Sequence, residues 1–399
     1  MGLSAAGCRI AALCPTRGHP LHSTSVVEER FAYSSLSPLE SLAKAVEKSK
    51  PQIILPCDDR GVEHLHELHA MARSQKASGA ELANLIEYSL GPAESYPVVS
   101  CRWNLLRLAM EEGIRVPDCR LLNTAEDLKS WQAAHPLPWV LKGDGTFGGR
   151  GVRIAQTPEA AAFHFQDIQD LFKGTRALKR AIVNRDPFWL RPWWKNRRPA
   201  IIVQSHVPGR PANCAVMCWK GEVQAGIAVE VLSSEGLTGP ASVVRVIEND
   251  EMISAARCIA RHLGLSGFFG LDFILEEGTG AAYLIEMNPR ATPLCHLQLG
   301  KDRDLIEGLA ARLLDRPAVE RPSVTEKEMI AYFPQAWQTP SEFLESSFQD
   351  IPVGEPALLE ALLRPWPDNS LLYRLATRLS GMAAFIGKSD ASNQGVRHA

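Results

Sequence analysis

Short apolar runs alternate with amphipathic segments through the first quarter of the chain. Arg9-Ile10-Ala11-Ala12-Leu13-Cys14 is one such run, and Gln52-Ile53-Ile54-Leu55-Pro56 is another. Pro38 to Lys48 lies between them with helical spacing. After the second run, Val62, Leu65, Leu68 and Ala72 recur at intervals of three and four. That spacing gives a helix one buried face, and strand–helix alternation predicts a parallel sheet with ligand-binding loops at the strand C-termini. Residues 1–95 therefore read as an open parallel-sheet α/β domain.

The pattern then changes. Cys101 to Ile114 predicts a helix that stops at Gly113, and Leu137 to Lys142 predicts a strand ending in a lysine. Gly143 to Gly151 holds glycine at 143, 145, 148, 149 and 151, and Val152-Arg153-Ile154-Ala155 alternates like a second strand. The next helix starts only at Thr157-Pro158-Glu159, a capping residue followed by proline in the first turn. Ile201 to Val207 predicts a further strand. Gly270 to Leu275, the turn cluster Glu276-Glu277-Gly278-Thr279-Gly280, and Tyr283 to Arg290 then predict a hairpin.

The hairpin carries the first chemistry. Folding it back sets Asp272 roughly opposite Glu286, and alternation along the strand points Glu286 and Asn288 the same way. Carboxylates within apolar strands are costly to bury unpaired. Two of them with an amide make an oxygen-ligand site of the kind Mg²⁺ prefers, and Arg290 adds a cation. The glycine loop supplies a second signal, because backbone without Cβ atoms can close on phosphate oxygens. Its Gly143-x-Gly145-x-x-Gly148 spacing matches a dinucleotide fingerprint only superficially, since that motif must open a helix and this loop enters a strand. A flap over a nucleotide fits better.

Composition narrows the class. The chain has 399 residues, enough for two or three domains, with 43 Lys and Arg against 45 Asp and Glu and a net charge of −2. No global basic field points to nucleic acid, and no apolar run approaches the length of a membrane span. The nine cysteines lack zinc-ligand spacing, which predicts reduced thiols and a cytoplasmic setting. The first residues have neither a secretory leader nor a lipidation pattern.

Strand-Lys142, glycine flap, strand, and a later hairpin ending in Glu286-x-Asn288-x-Arg290 resemble the ATP-grasp superfamily of carboxylate–amine ligase type, from about Cys101 to Leu314. The resemblance implies a fold of mixed α/β and α+β type: the N-terminal open parallel-sheet domain (1–95), a two-lobed ATP-grasp domain (96–315), a mostly helical C-terminal appendage (316–385) and a disordered tail (386–399). It implies ATP as substrate with Mg²⁺, or Mn²⁺ in its place, held by Asp272, Glu286 and Asn288. Lys142 and Arg290 take the catalytic roles. ATP is held by Arg102, Lys142, Gly145, Gly148, Gly149, Gly151, Gln204 and the backbone near Val207. Arg102 stands where the family usually has lysine. Small-molecule carboxylate and amine substrates follow, without nucleic acid, and a homodimer is an assembly the resemblance admits. A phosphotransferase or a non-turning-over ATP sensor on the same fold is the alternative.

Other expectations follow from the residues. Asp58 and Asp59 either cap the helix behind them or face substrate. His64, His66 and His69 are expected on an exposed helix face rather than at a metal. The basic, Trp-rich stretch 173–198 is expected to be a packed insertion of the flap lobe, with surface membrane contact through 185–198 as the minority reading. The chain opens within what reads as the first helix, Leu3 to Gly7, so a preceding strand and loop are expected to be missing from the N-terminal domain.

Overall fold

The computed structural model describes residues 1–15, 18–145, 151–171, 200–236, 239–339 and 341–364. Gly148, Gly149, the basic stretch 173–198 and the tail 386–399 lie outside the described residues. Met1–Ile168 and Pro199–Leu363 form one compact unit, to which the description below applies; Gln169–Arg198 and Arg364–Ala399 form another, almost all of it undescribed.

In the N-terminal part, β1 (Ala11–Cys14) pairs in parallel with β2 (Glu29–Ala32). The helix α1 (Pro38–Ser49) packs beside them, α2 (Asp59–Ser74) packs on α1, and α3 (Ala80–Leu90) packs on α2. The partner of β1 is therefore Glu29–Ala32, and Gln52–Pro56 is not a ladder strand as expected. The reason is local. Ile54 packs among Leu65, Leu68 and Ile86, while Ile53 and Leu55 pack on the opposite side, against the core that contains Phe268 and Leu305. The Ile54 amide is satisfied by the Ser89 hydroxyl at 3.0 Å instead of by a neighbouring strand. The histidines of α2 also depart from expectation. His64 and His69 are buried: the His64 ring lies 6.1 Å from that of Tyr33, His69 meets Tyr96 edge-on at 5.4 Å, and His66 stacks on Tyr96 at 4.0 Å. His69 Nε2 lies 2.6 Å from Glu87 Oε1.

The helix α4 (Arg102–Glu111) opens the central part and buries Leu105, Leu106, Leu108 and Ala109. A four-stranded antiparallel sheet follows from β3 (Cys119–Leu122), β4 (Trp139–Gly143), β5 (Val152–Ala155) and β6 (Ile201–Ser205), in the order β3-β6-β4-β5. One face carries Trp139, Leu141, Ile201 and Val203, packed against Phe165 and Ile168 of α5 (Pro158–Asp170). The direct pairs Lys142↔Ile202, Val140↔Gln204 and Cys119↔Gln204 share the other face.

The larger sheet has seven strands. Its centre is β7 (Gly209–Trp219), β8 (Glu222–Ser234) and β9 (Ala241–Ile247); α6 (Asp250–Leu263) packs on them, and β10 (Gly267–Glu276) and β11 (Ala282–Asn288) extend one side. Asn249 caps α6 by accepting from the Met252 amide at 3.0 Å, and Gly264 ends it in the left-handed conformation. Buried Met252, Ala255, Ala256, Ile259, Ala260 and Leu263 are its core stripe. On the other face, α7 (Leu305–Leu313) buries Leu305, Ile306 and Leu309. β12 (Met329–Tyr332) and β13 (Phe348–Asp350) complete the sheet, so the C-terminal part adds strands to the core besides its helices, Gln335–Gln338 and α8 (Pro356–Leu363). Glu355 ties this end to the N-terminal part by accepting from the Ser25 amide at 3.2 Å and hydroxyl at 2.5 Å.

β11 is an edge strand. Its Leu284 amide donates to Arg115 O and its Ala282 amide to Glu251 Oε2, each at 2.9 Å. No helix among the described residues is long and apolar enough to cross a membrane.

Candidate active site

The hairpin β10–β11 has the register that the alternation predicted: Asp272 is paired with Glu286, and Gly270 with Asn288. Leu271, Phe273 and Leu275 fill the core on the reverse face, which fixes Asp272 toward the cleft. Asp272 accepts from Asn213 Nδ2 at 2.7 Å and from Asn288 Nδ2 at 3.1 Å. Asn213 was not singled out from sequence, although it carried the same signal as Asp272: a polar residue inside the apolar run Ala212–Cys218.

Lys142 approaches from the smaller sheet. Its side chain is 5% exposed, and Nζ donates to Ile285 O at 3.4 Å, so it ends beside the acidic strand. Arg102 enters from the first turn of α4. Its NH2 donates to Glu286 Oε1 at 2.5 Å and its NH1 to Asp144 Oδ1 at 3.1 Å. Asp144 also accepts from the Arg102 amide at 3.2 Å. It thereby caps a helix whose N-cap residue, Cys101, makes no side-chain cap. Sequence reasoning missed Asp144, since 42 residues separate it from its partner.

Arg290, just past β11, is clamped. It donates through Nε to Asp59 Oδ1 at 3.0 Å, through NH2 to Asn288 Oδ1 at 3.2 Å and through NH1 to Ala291 O at 3.3 Å. The open question about the aspartates resolves into two roles. Asp58 caps α2 by accepting from the Gly61 amide at 2.6 Å, and Asp59 faces Arg290.

Gln204 is 1% exposed on the cleft face, and its Nε2 has no partner among the described residues. Val207 lies half-buried in the turn after β6. Gly145 has φ +70°, a conformation that suits glycine, at the last described residue before the flap gap. Gly151 is buried at the far side of that gap, and its carbonyl accepts from the Gly143 amide at 3.1 Å. The structure thus gathers Lys142, Arg102, Asp272, Glu286, Asn288 and Arg290 through shared contacts. It sets Gln204 on the same sheet face as Lys142.

The electrostatics follow from this crowding. Burial pushes the Asp272 carboxyl up to about 6, and the Glu286 charge adds to it. Burial also pushes Glu286 upward, but Arg102, Lys142 and Arg290 outweigh it and hold the carboxyl below its usual range. Glu286 is densely surrounded yet keeps 31% of its side chain exposed, as expected for the wall of a recess open on one side. Burial, with the Arg102 charge, lowers Lys142 to about 8. A second cation beside Asp272 and Glu286 would therefore relieve a like-charge pair.

Among the described residues no three His, Cys, Asp or Glu side chains gather as a metal site. Two carboxylates and one amide oxygen are an incomplete shell for a hard cation. They suit Mg²⁺, which ordinarily fills its shell with water and substrate phosphate. The donor set fits on that chemistry.

Residues 99–293 match the family model of the ATP-grasp domain. The carbamoyl phosphate synthase large chain of Deinococcus radiodurans is 24% identical over 264 residues; the alignment covers 64% of this chain and 23% of the relative, so the chain spans about a quarter of that protein's length. The biotin carboxylase domain of 2-oxoglutarate carboxylase from Hydrogenobacter thermophilus, solved with MgADP, ADP and bicarbonate, is similar in fold. Its TM-score is 0.57 at 14% identity, covering 81% of this chain and 67% of that one. L-amino acid ligase from Bacillus licheniformis gives a TM-score of 0.55 at 13% identity over 80% and 71% of the two chains. The strand lysine and the acidic hairpin both lie inside the matched region, so this chain carries an ATP-grasp domain over residues 99–293.

Proposed function

We propose that the chain is an ATP- and Mg²⁺-dependent ligase, joining a small carboxylate to an amine or similar nucleophile through an acyl phosphate. The observation that carries this reading is the facing pair Asp272 and Glu286, with Lys142 on one side and Arg290 at the strand end. Carboxylate activation by ATP concentrates negative charge at one point, and phosphoryl transfer is promoted mainly by positioning and neutralising that charge. The ATP-grasp domain match over residues 99–293, a relative named as a carbamoyl phosphate synthase large chain and a fold neighbour solved with MgADP support the same chemistry.

Asp272, Glu286 and Asn288 would hold Mg²⁺, which when bound neutralises the phosphate oxygens. Lys142 holds a non-transferred phosphate in place. Gln204 offers its unpartnered amide to the adenine edge, beside the backbone near Val207. An oxygen of the substrate carboxylate attacks the γ-phosphorus; the new P–O bond forms as the bond to ADP breaks. The amine then attacks the acyl carbon, the C–N bond forms, and inorganic phosphate leaves while the nitrogen loses a proton. Arg290, held by Asp59 and Asn288, stabilises the oxyanion of that second step. Nine cysteines, all free thiols, fit a cytoplasmic enzyme. A homodimer belongs to the same reading.

The test is turnover of Mg-ATP against pools of carboxylates and amines, with products resolved. ADP and phosphate that require both a carboxylate and an amine support the ligase. ADP with a stable phosphorylated acceptor would make the protein a kinase. Tight nucleotide binding with no turnover in any pool would make it a sensor.

A further inference from the structure

The Glu286 carboxylate is claimed twice. It is one of the groups assigned to the divalent cation, and its Oε1 already accepts from Arg102 NH2 at 2.5 Å. A guanidinium and a divalent cation on one carboxylate repel each other across a few ångströms in a poorly solvated recess, so each weakens the hold of the other.

The structure gives Arg102 somewhere to go. Its side chain is 8% exposed, and its NH1 and backbone amide both donate to Asp144. Asp144 holds the guanidinium through NH1, the nitrogen that Glu286 does not engage. Arg102 Nε is buried and has no partner among the described residues, so the guanidinium has a donor in reserve. Without Arg102, the cleft would set Asp144, Asp272 and Glu286 against Lys142 alone, with Arg290 engaged at Asp59.

We propose that Arg102 is an exchangeable internal counter-cation: it neutralises Glu286 while the cleft is metal-free, yields the carboxylate when the divalent cation enters, and is held throughout by Asp144. Asp144 is then a positioning residue, acting through Arg102. The proposal rests on the reading of the cleft as a metal–nucleotide site. It differs from a role in which Arg102 only contacts phosphate and Asp144 only caps α4.

The two accounts diverge with Mn²⁺ alone, without nucleotide or turnover. Free Mn²⁺ is titrated by electron paramagnetic resonance against the full chain and its variants. Arg102→Gln removes the competing cation and is expected to bind Mn²⁺ about tenfold more tightly. Asp144→Asn leaves Arg102 resting on Glu286 and is expected to bind about threefold more weakly. In the double variant the Asp144→Asn effect disappears, since its agent is gone. Where Arg102→Gln does not fold, Arg102→Lys replaces it: a single ammonium cannot span Asp144 and Glu286, so affinity rises by a smaller factor. Unchanged or weaker Mn²⁺ binding in the Arg102 variant, or additive effects in the double variant, would overturn the exchange. A wild-type chain that binds neither Mn²⁺ nor Mn-ADP would reject the cleft reading itself. A wild-type chain that binds Mn-ADP, with an Arg102 variant no tighter for Mn²⁺, rejects the exchange alone.

Discussion

Arg290 and Asp59 lie 231 residues apart in sequence and 3.0 Å apart in space, joining the end of the acidic hairpin to the first turn of the helix Asp59–Ser74. The adjacent Ala291 amide donates to Pro56 O at 3.0 Å, so the two segments are fastened at backbone as well as side chain. Asp59→Asn keeps the shape and removes the charge. Because the pair is about a quarter exposed, the expected loss of stability is small, about 1 kcal/mol. The expected effect on turnover is larger, about tenfold in kcat with nucleotide affinity unchanged, because Arg290 would be misplaced only for the oxyanion. Steady-state kinetics beside nucleotide titration separates the two; a change confined to nucleotide affinity would place Arg290 elsewhere.

The Asp272 carboxyl, at about 6 through burial and then the Glu286 charge, sits above its ordinary 3.8. A group that binds its proton more tightly in the fold than in the unfolded chain favours folding fully below about pH 4, and that contribution is lost as pH rises through about 6. Asp272→Asn is neutral throughout. With chelator present, its melting temperature should therefore decline less than that of the unaltered chain between about pH 4 and about pH 7, a difference of about 2 kcal/mol. Melting curves that fall in parallel would assign the strain to another group.

Gln204 gives a case where stability and binding part. Its buried Nε2 lacks a partner, and such a group is costly to leave unpaired, by about 1 to 3 kcal/mol. Gln204→Leu should leave the unliganded protein as stable as before or more so. It should weaken ATP binding by about tenfold, since the amide no longer meets the base. If calorimetry finds ATP affinity unchanged, the base is not bound at this strand.

Glu286→Gln keeps a side chain of the same size but no charge for a cation or for Arg102. Turnover should be lost, with nucleotide binding only modestly weaker, because Lys142 remains. Turnover at the wild-type rate would remove the hairpin from the chemistry.

Gly143 follows Lys142, where a Cβ would stand 2.4 Å from Ile168 Cγ2. Gly143→Ala should destabilise by about 1 to 3 kcal/mol through overpacking, and Ile168→Ala in the same chain should relieve much of the added strain. A denaturant titration of the two single variants and the double would show coupling; simple additivity would mean the strand shifts freely.

How much of this was legible in the sequence depends on range. The hairpin was readable because Asp272 and Glu286 interrupt apolar strands close in sequence, and a short turn sets their register. Lys142 was readable for the same reason, as a charge at a strand end before glycine. Asp144 and Arg102 were not readable as a pair, since their meeting depends on how α4 docks. Gln52–Pro56 resembled a strand because its apolar residues are buried. The burial is real, but it is divided between two cores, and a side chain takes the ladder's place. The helix histidines carried polar labels, and only the distant residues that meet them, Tyr33 at His64 and Tyr96 at His66 and His69, decide that this helix is covered there.

The strand Ala282–Asn288 ends its sheet, and an unpaired sheet edge invites another chain to add a strand. Here two of its amides are already taken, by Arg115 O and by Glu251 Oε2. The charge-bearing strand is thereby shielded from self-association by a loop carbonyl and one carboxylate. Glu251→Ala would expose one of those amides, and the cleft's own edge would then become the place where neighbouring molecules first adhere on warming, visible as earlier light scattering.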